Sequence, residues 1–328
     1  MKSTKIIITD YPASMMPSHD YEKEILSRCL PGCEIEVYPY TGDKSAFLKA
    51  ISGASGILTG FLPIGREEMN AAPALKCISL NATGYDNVDL SEASRRGIAV
   101  CAVGEYCTED VAEHTIALML ALAKNLKHYA ADIDVRGIWR YDSVQPPMRV
   151  GEMTLGIFGF GKIGRCTAKK ALALGMTILA CDPYIDSAAA AEYKTTLVSA
   201  EEIYERAHII VNHTQLSESS AAMFCASAFK KMRQKPLFIN VARGASVVEA
   251  DLADALDGGH IRGAALDVLS GENPDLQNHP LAGRENVIIT PHAAFYTTAS
   301  LAALQEISCK NLGCCLRGEP EKAFKLVN

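Results

Sequence analysis

The sequence predicts an α/β protein with parallel sheets covered by helices. Short β-branched apolar runs alternate with helical patterns along the chain, which is typical of βαβ units. A glycine-rich turn, Gly159-Phe-Gly-Lys-Ile-Gly164, joins one such run to a helical run. The length of 328 residues exceeds the usual domain of ~100–200 residues, so we expect two domains.

Five strands are predicted in the first hundred residues. Lys5–Thr9 is predicted as a buried strand because the run is short and rich in β-branched residues. The helical periodicity of Tyr21–Leu30 ends at Pro31-Gly32, a pair that stops helices. The other predicted strands of this half are Ile35–Tyr38, Gly56–Thr59, Cys77–Leu80 and Ile98–Cys101.

A long helix is predicted from Thr108 to Ala131, with Thr108 as its N-cap. Its alanine, leucine, isoleucine and methionine content indicates burial along most of its length. The following stretch, Gly137–Gly151, has no clear period and is predicted as a connection.

Six more strands are predicted after Met153, with helical patterns between them. Ser246 and Glu249 have the spacing of a capping box before a helix at Ala250–Leu256, and Gly258-Gly259 would end that helix. Six strands with helical crossovers match a doubly wound nucleotide-binding domain. These strands are Thr154–Phe158, Thr177–Cys181, His208–Asn212, Leu237–Val241, Gly263–Val268 and Asn286–Thr290.

Each glycine of the motif has a physical task in this context. Gly159 permits the tight turn after the strand, and Gly161 lets the backbone approach a pyrophosphate. Gly164 lets the following helix, predicted at Ile163–Leu174, pack closely on the sheet. The helix N-terminus would then offer amide donors to the phosphates.

The acid that ends the next predicted strand, Asp182, indicates which dinucleotide binds. It follows the motif at the ~20-residue spacing at which an acid accepts the ribose hydroxyls. It would repel a 2′-phosphate, and Pro183 and Tyr184 provide no arginine to bind one. The sequence therefore favours NAD over NADP.

Composition excludes several other classes of protein. The net charge of −6 and the pI of about 5.8 give no basic field for nucleic acid or an anionic membrane. The longest clean apolar run, Ile116–Ala123, is far shorter than the ~20 residues of a membrane span. The apolar run near the start, Ile6–Ile8, is too short for a signal peptide. We expect a cytoplasmic protein.

Motifs for other chemistries are missing from the sequence. The eleven cysteines include no C-x-x-C pair, so we predict no metal site and expect most of them to be small buried residues. The sequence has no H-E-x-x-H, no G-x-S-x-G and no G-x-x-x-x-G-K-[ST] motif. Metalloprotease, hydrolase and nucleotide triphosphatase functions therefore lack a basis.

Three residues that follow predicted strands are the catalytic candidates. Arg243 can bind a 2-oxo acid carboxylate through two hydrogen bonds, and His292 can donate the proton that accompanies hydride transfer. Glu272 beside it would orient the imidazole and stabilise its cation. Because ligands bind at the carboxyl ends of strands in open α/β sheets, we expect these three side chains to converge there.

Over nearly its whole length the sequence resembles the D-isomer-specific 2-hydroxyacid dehydrogenases. This resemblance implies a reversible hydride transfer between NADH and a small 2-oxo acid, with Arg243, Glu272 and His292 as the catalytic trio. The segments that carry the resemblance are Asn81–Asp89, Asp110–His114, Gly159–Gly164, Val241–Gly244, Ala264–Val268 with Glu272, and Thr290–Phe295. Two positions depart from the family pattern: Ala82 stands where many members have Gly, and Asn273 stands where Pro is common.

The resemblance also implies further contacts. Asp267 would hold the nicotinamide amide, the backbone of Thr83 and Gly84 would bind the substrate carboxylate, and Tyr106 and Phe295 would form the walls of the substrate site. Together with the three glycines of the turn, the residues on the cofactor would be Lys162, Ile163, Asp182, Thr214, Val241, Ala242 and Arg243.

The implied architecture consists of two Rossmann-like or flavodoxin-like domains. A discontinuous substrate domain, residues 1–102 and 298–328, would contain an inserted doubly wound NAD-binding domain, residues 103–297. The helices at Thr108–Ala131 and Thr298–Arg317 would form the hinge. Family members are usually homodimers, and the apolar long helix is suited to such an interface.

Two alternatives remain open. The first is a protein like the C-terminal-binding-protein corepressors, which are NAD-sensing scaffolds of this fold. The sequence resembles them at His292-Ala-Ala and at the ending Leu326-Val-Asn328, but Phe295 stands where those proteins carry tryptophan. A non-catalytic NAD-binding regulator is the second alternative. Within the enzyme interpretation, Tyr106 and Phe295 favour pyruvate or a branched analogue, with hydroxypyruvate and glyoxylate also possible and phosphoglycerate less attractive.

Overall fold

A computed structural model describes residues 4–328, and the chain divides into two compact units. The first unit contains the chain up to Tyr106 together with Thr297–Asn328, and the second is Cys107–Tyr296. The first unit is therefore discontinuous. Its boundaries lie at Tyr106 rather than residue 102, and at Thr297 rather than residue 298.

Five parallel strands form the sheet of the first unit, in the order β2-β1-β3-β4-β5. All five predicted strands are present, with end shifts of a residue or so. The strands are β1 (Lys5–Asp10), β2 (Glu34–Pro39), β3 (Gly56–Thr59), β4 (Cys77–Leu80) and β5 (Ala99–Cys101). The helices of this part of the chain are α1 (Asp20–Cys29), α2 (Lys44–Ile51), α3 (Arg66–Ala71) and α4 (Leu90–Arg96).

Seven parallel strands form the sheet of the second unit, in the order β12-β11-β10-β9-β6-β7-β8. The six predicted strands are confirmed, and the two-residue β8 was not predicted. The strands are β6 (Thr154–Phe158), β7 (Thr177–Cys181), β8 (Thr196–Leu197), β9 (Ile209–Asn212), β10 (Leu237–Asn240), β11 (Gly263–Leu266) and β12 (Val287–Ile289). The helices are α5 (Thr108–Ala123), α6 (Leu126–Ala131), α7 (Lys162–Ala173), α8 (Ser187–Ala191), α9 (Ala200–Arg206), α10 (Ala226–Lys231) and α11 (Glu249–Asp257).

The prediction of one long helix from Thr108 to Ala131 is wrong. Asn125 has a left-handed backbone with φ of +53°, and this residue separates α5 from α6 because the left-handed conformation cannot continue a right-handed helix. Thr108 is also not the N-cap: it is the first helical residue, and Cys107 precedes it without a side-chain cap.

The predicted capping box of Ser246 and Glu249 is also absent. Ser246 closes a 3₁₀ turn, and α11 begins at Glu249 after Val248, which makes no side-chain cap. Glu249 instead accepts a hydrogen bond from the backbone N–H of Ser270 at 2.6 Å. The predicted end is confirmed, since α11 stops at Gly258.

The chain returns to the first unit through α12 (Thr298–Leu316), which packs on the sheet. Alternate residues of the strands separate the two cores of this unit: Ile7 and Ile57 lie on one face, while Ile6 and Leu58 lie on the other with Leu312 of α12. None of the helices within residues 4–328 has both the length and the hydropathy that a membrane span requires.

The expectation that most cysteines are buried is wrong by a small margin. Five of the eleven are buried and six are partly exposed. The buried cysteines are Cys77, Cys101, Cys107, Cys309 and Cys315.

Candidate active site

The glycine-rich turn lies where the strand order of the second sheet reverses, between β6 and β9. Doubly wound sheets bind dinucleotides at this position. Gly159 has φ of +85°, and a Cβ there would lie 2.7 Å from the carbonyl of His213. At Gly164 a Cβ would lie 2.3 Å from the carbonyl oxygen of Gly159. Both positions therefore require glycine.

Gly161 differs from these two glycines because its surroundings are open. A Cβ placed on Gly161 would meet no atom of the described residues within 4 Å, and α7 begins directly after it. The exposed Lys162 and the half-buried Ile163 open this helix. The turn thus leaves room at one glycine, beside a helix N-terminus, for a phosphate group to approach the backbone.

Asp182 follows β7 and is held beside the glycine turn. Its Oδ2 accepts a hydrogen bond from the backbone N–H of Phe160 at 2.7 Å, and its Oδ1 accepts one from Tyr184 at 2.9 Å. Each carboxylate oxygen can accept a second donor. This arrangement fits the hydroxyl pair of an adenosine ribose, as the sequence predicts.

Two buried asparagines at the ends of β9 and β10 position the next loops. The Asn212 amide donates to Oδ1 of Asn240 at 3.0 Å. The Oδ1 of Asn212 accepts from the backbone N–H and the hydroxyl of Thr214 at 3.0 and 2.7 Å. The Asn240 amide donates to the carbonyl of Arg243 at 3.0 Å, and its Oδ1 accepts from Ala242 at 3.2 Å.

Asn212 and Asn240 are not among the site residues predicted from the sequence. The available signal was a single asparagine at the end of each of two apolar strands, Ile-Ile-Val-Asn and Leu-Phe-Ile-Asn. A buried amide at that position must satisfy its donors and acceptors through the loops that follow.

Arg243 lies in a loop that packs on the segment leading to Glu272. It is half-buried, and its Nη1 donates to the carbonyl of Ala242 at 2.8 Å. A Cβ on Gly244 would lie 1.8 Å from the carbonyl oxygen of Leu269. Only glycine permits this approach, so Gly244 fixes the loop of Arg243 against the chain that follows β11.

Asp267 directly follows β11 and organises the loop that follows β12. Its side chain is 1% exposed. Its Oδ1 accepts from the Thr290 hydroxyl at 2.5 Å and from the backbone N–H of Ala293 at 2.8 Å, and its Oδ2 accepts from Ala294 at 2.9 Å. His114 of α5 supports this loop, with its Nε2 3.1 Å from Thr290 Oγ1.

The structure pairs His292 with Glu272. Nδ1 of His292 lies 3.0 Å from both carboxylate oxygens of Glu272. His292 has φ of +53°, an uncommon conformation for a residue with a side chain. Its backbone N–H donates to the carbonyl of Asp267 at 2.8 Å, which helps to hold that conformation. The Phe295 ring lies edge-on to the imidazole, with 6.3 Å between centroids.

The residues assigned to the substrate divide between the units. Thr83, Gly84 and Tyr106 belong to the first unit, whereas Arg243 and Phe295 belong to the second. Thr83 follows β4, and its hydroxyl donates to the carbonyl of Gly104 at 2.7 Å. This hydrogen bond ties the loop after β4 to the loop after β5.

The second unit also contains a cavity of about 440 Å³ away from these residues. It is lined by Leu237 and Gly263, which begin β10 and β11, by the last residues of α5 and by the first turn of α6. The site described above lies at the opposite, carboxyl ends of the strands. The cavity is therefore distinct from the candidate active site.

A parallel doubly wound sheet with a glycine turn at its reversal point, a fixed acid beyond it and a histidine–carboxylate pair defines an NAD-binding oxidoreductase. The family described as "D-isomer specific 2-hydroxyacid dehydrogenase, NAD binding domain" matches residues 116–294. The chain belongs to this family, and its cofactor is NAD. The resemblance found in the sequence and the fold class are confirmed.

Relatives extend this similarity over most of the chain. A hydroxypyruvate reductase of Blautia hydrogenotrophica is 32% identical over 304 residues, which cover 90% of this chain and 92% of that protein. A glycerate dehydrogenase of Methylorubrum extorquens is 32% identical over 298 residues, with coverage of 89% and 92%. A D-lactate dehydrogenase structure from Aquifex aeolicus, complexed with NAD and lactic acid, has 26% identity, a TM-score of 0.86 and 98% coverage of both chains.

Proposed function

We propose that this chain is a D-specific 2-hydroxyacid dehydrogenase that reversibly reduces a small 2-oxo acid. The pairing of His292 Nδ1 with both oxygens of Glu272 at 3.0 Å carries the proposal. A histidine held by a carboxylate at one nitrogen can exchange a proton at the other, which is what carbonyl reduction needs. Bound NADH supplies the hydride in reduction.

The side chains of the site have separate roles in this proposal. Arg243 binds the substrate carboxylate through its planar guanidinium and polarises the neighbouring carbonyl. His292 donates a proton from Nε2 to the carbonyl oxygen in reduction and takes it back in oxidation. Glu272 keeps the Nδ1 proton in place and stabilises the imidazolium. Thr83 and Gly84 provide backbone donors to the carboxylate, and Phe295 and Tyr106 limit the size of the substrate.

The remaining assignments concern the cofactor. Asp182 accepts hydrogen bonds from the ribose hydroxyls, and the open backbone at Gly161 with the first turn of α7 receives the pyrophosphate. Asp267 accepts three hydrogen bonds from the loop that follows β12, and its Oδ2 can still accept the nicotinamide amide. Thr214 and residues 241–243 line the cofactor through the loops that Asn212 and Asn240 hold.

We infer a three-carbon substrate, with hydroxypyruvate and pyruvate as the leading candidates. Tyr106 and Phe295 supply apolar walls suited to a short side chain. Two of the relatives are named for hydroxypyruvate and glycerate, which interconvert by hydride transfer at C2. The solved relative that binds lactic acid supports pyruvate.

A panel of 2-oxo acids tests this function. Hydroxypyruvate, pyruvate, glyoxylate, 2-oxoisocaproate and 3-phosphohydroxypyruvate are reduced with NADH and with NADPH in parallel, and kcat/KM is measured for each pair. Chiral chromatography of the product tests D-specificity. We expect turnover with NADH and a D-product. Bound NAD without turnover across the panel would refute the proposal and favour a non-catalytic NAD-binding regulator of the corepressor type.

A matched pair of variants tests the role of His292. His292→Asn should reduce kcat by about 10²–10⁴-fold, because the variant lacks the proton donor. His128→Asn is the control, since His128 also contacts a glutamate, with Nδ1 2.9 Å from Glu285. Equal losses in the two variants would contradict the assignment.

We further propose a homodimer that buries the apolar segment 133–148. Val135 is 81% exposed, and Trp139 and Tyr141 are each 89% exposed, which is unusual for large apolar residues in one short stretch. Trp139 is the one tryptophan of the chain, so its fluorescence should shift to longer wavelength on dilution. Sedimentation of Trp139→Glu should give monomers; a wild-type monomer at high concentration would refute the dimer.

We also propose a reducing, cytoplasmic location. All eleven cysteines are free, although Sγ of Cys101 and Sγ of Cys315 lie only 3.5 Å apart. Free thiols at this density are typical of reducing compartments. Fractionation of the native cells, with the protein detected by antibody, tests the location.

A further inference from the structure

Three cysteines that are far apart in the sequence meet in the core of the first unit. Cys77 lies in β4, Cys101 in β5 and Cys315 in α12. Their Sγ atoms all lie within 4.8 Å of one another, and Cys101 and Cys315 are separated by 3.5 Å. We call these residues the trithiol cluster. No spacing motif predicts it, because the strands and the helix that carry it meet only in the fold.

The trithiol cluster is buried among aliphatic side chains. Cys77 and Cys101 are 0% exposed and Cys315 is 7% exposed. The same core contains Ile8 and Leu312. Burial raises the pKa of Cys77 far above its usual value, and the contact with Cys315 raises the pKa of Cys101 to about 12. Hydrogen bonds from these two thiols lower the pKa of Cys315.

An apolar core of this kind limits which ions can bind. A net charge placed among aliphatic side chains is costly unless it is paired. The main influences on the three thiols are burial and other cysteine sulfurs, and no cation is among them. Three thiolates on Zn²⁺ leave one negative charge, and three on Cu⁺ leave two. Three thiolates on trivalent arsenic leave none.

We propose that the trithiol cluster is a binding site for trivalent arsenic, taken up as arsenous acid. In the reaction As(OH)₃ + 3 Cys–SH → As(S–Cys)₃ + 3 H₂O, three As–O and three S–H bonds break, and three As–S and three O–H bonds form. Each thiol proton leaves with a hydroxyl group as water. No oxidant or reductant is required, and the product is neutral.

The geometry requires at most a small closure. If each sulfur lies ~2.3 Å from the central atom, as thiolates do on Zn²⁺, two sulfurs on that atom can be no more than ~4.6 Å apart. The Cys101–Cys315 pair at 3.5 Å already satisfies this limit. The other pairs lie within 4.8 Å, so any closure they need is ~0.2 Å or less, and side-chain rotation in a sulfur-lined core can supply it.

The C-terminal residues provide a route of entry. Leu326 pairs with Cys101 as an isolated antiparallel bridge, and Val327 donates a backbone hydrogen bond to Val100 of β5 at 2.9 Å. Ala323 packs against the core that contains the cluster. Most residues of the segment 321–328 are exposed, and segments with few buried contacts open at low free-energy cost. Local opening of this segment would expose β5 and Cys315.

Arsenite binding to the full chain tests the proposal. The protein is reduced with a phosphine, incubated with sodium arsenite and desalted. Intact mass spectrometry should show the gain of one arsenic atom with the loss of three hydrogens. X-ray absorption at the arsenic edge should show three sulfur neighbours, and Cys77, Cys101 and Cys315 should become resistant to alkylation. The melting temperature should rise, because the arsenic links β4, β5 and α12.

Variants separate this site from other thiols. Cys101→Ala and Cys315→Ala should each lower arsenic retention at least about tenfold, because a chelate loses much of its avidity with each ligand. Cys33→Ala and Cys225→Ala are the controls, since both residues are partly exposed and lie outside the trithiol cluster. These two variants should retain arsenic as the wild type does.

Several results would overturn the proposal. They are the absence of retained arsenic, two sulfur neighbours instead of three, and loss of retention in Cys33→Ala. Retention of zinc or copper(I) in preference to arsenic would refute the charge argument. If a cluster variant fails to fold, the sulfur count and the alkylation map of the wild type still decide the question.

Discussion

Glu272→Gln is the substitution that most directly tests the proposed chemistry. It removes the negative charge next to His292 but leaves an amide oxygen that can still accept the Nδ1–H. The orientation of the ring should therefore survive, and the stabilisation of the imidazolium should be lost. In the proposed reaction the ring passes a proton to the substrate carbonyl, so we expect kcat for reduction to fall in the variant while substrate binding is retained.

The structure gives the magnitude of this loss. Opposite charges ~4 Å apart attract by about 1 kcal/mol in water and about 4 kcal/mol at an effective dielectric constant of 20. The side chains of His292 and Glu272 are 24% and 41% exposed, so solvent screening favours the lower part of this range. A loss of about 1–2 kcal/mol in the transition state corresponds to roughly a tenfold lower rate.

The assay is the steady-state measurement of kcat and KM for reduction with NADH. The kcat of Glu272→Gln should fall about tenfold, and KM should change little, because the proposal assigns the substrate carboxylate to Arg243. Glu285→Gln is the control, because Glu285 contacts His128 at 2.9 Å outside the candidate site. An unchanged kcat in Glu272→Gln, or an equal loss in the control, would refute the role of Glu272.

The remaining predictions concern the cofactor turn and stability. Asp182→Ala should lower the ratio of kcat/KM with NADH to kcat/KM with NADPH at least about tenfold, because the hydrogen bonds from the ribose hydroxyls to a charged acceptor are lost. Asp186→Ala is the control: Asp186 is the N-cap of α8, and its substitution should leave the ratio unchanged. Gly161→Ala should weaken NADH binding without lowering the melting temperature, because a Cβ there contacts no other atom of residues 4–328. Gly164→Ala should lower the melting temperature, because its Cβ would collide with the carbonyl oxygen of Gly159. Similar melting temperatures for the two variants would contradict this prediction. Burial lowers the pKa of His213 to about 3, so the unfolded state binds more protons and stability should fall as pH drops below about 6.5, by about 1–2 kcal/mol at pH 5. Urea unfolding of His213→Gln should lack this loss, and an equal loss in the variant would show that His213 is not its source.

The sheets were predictable because their signal is local. Gly56–Thr59 and Cys77–Leu80 are short apolar runs bounded by turn residues, and both are strands with the predicted bounds. Such runs bury both faces in a parallel sheet, so their composition alone identifies them. The two-residue strand β8 has too few residues to carry such a pattern.

The two failed helix predictions have different causes. The predicted helix runs through Asn125, but a left-handed backbone at that residue separates α5 from α6. Ser246 and Glu249 have the spacing of a capping box, but Gly244 must approach Leu269 closely, and Glu249 holds Ser270 of the same neighbouring segment. Tertiary contacts therefore decide where α11 begins, and there they override local propensity.

The site was predictable in part. The glycine turn and Asp182 follow from spacing, because one βαβ unit places them together. His292 and Glu272 were predicted as neighbours from their position after adjacent strands, and the structure pairs them. Asp267 was assigned to the nicotinamide, whereas its carboxylate in the structure holds Thr290 and the backbone that follows His292. That second role depends on the register of β11 and β12, which the sequence does not encode locally.

The polar residues at the ends of β9, β10 and β11 link the loops of the candidate site. Asn212 and Asn240 are register partners in adjacent strands, and Asp267 donates its backbone N–H to the carbonyl of Asn240 at 2.9 Å. These three residues form one buried, hydrogen-bonded row at the ends of β9, β10 and β11. The row therefore anchors the loops that contain Thr214, Arg243 and His292. Buried polar groups that are fully hydrogen-bonded are rigid, and rigid support is what a preorganised site requires. One buried row thus supports three sequence-distant loops of the candidate site, through residues to which the proposed function assigns no substrate contact.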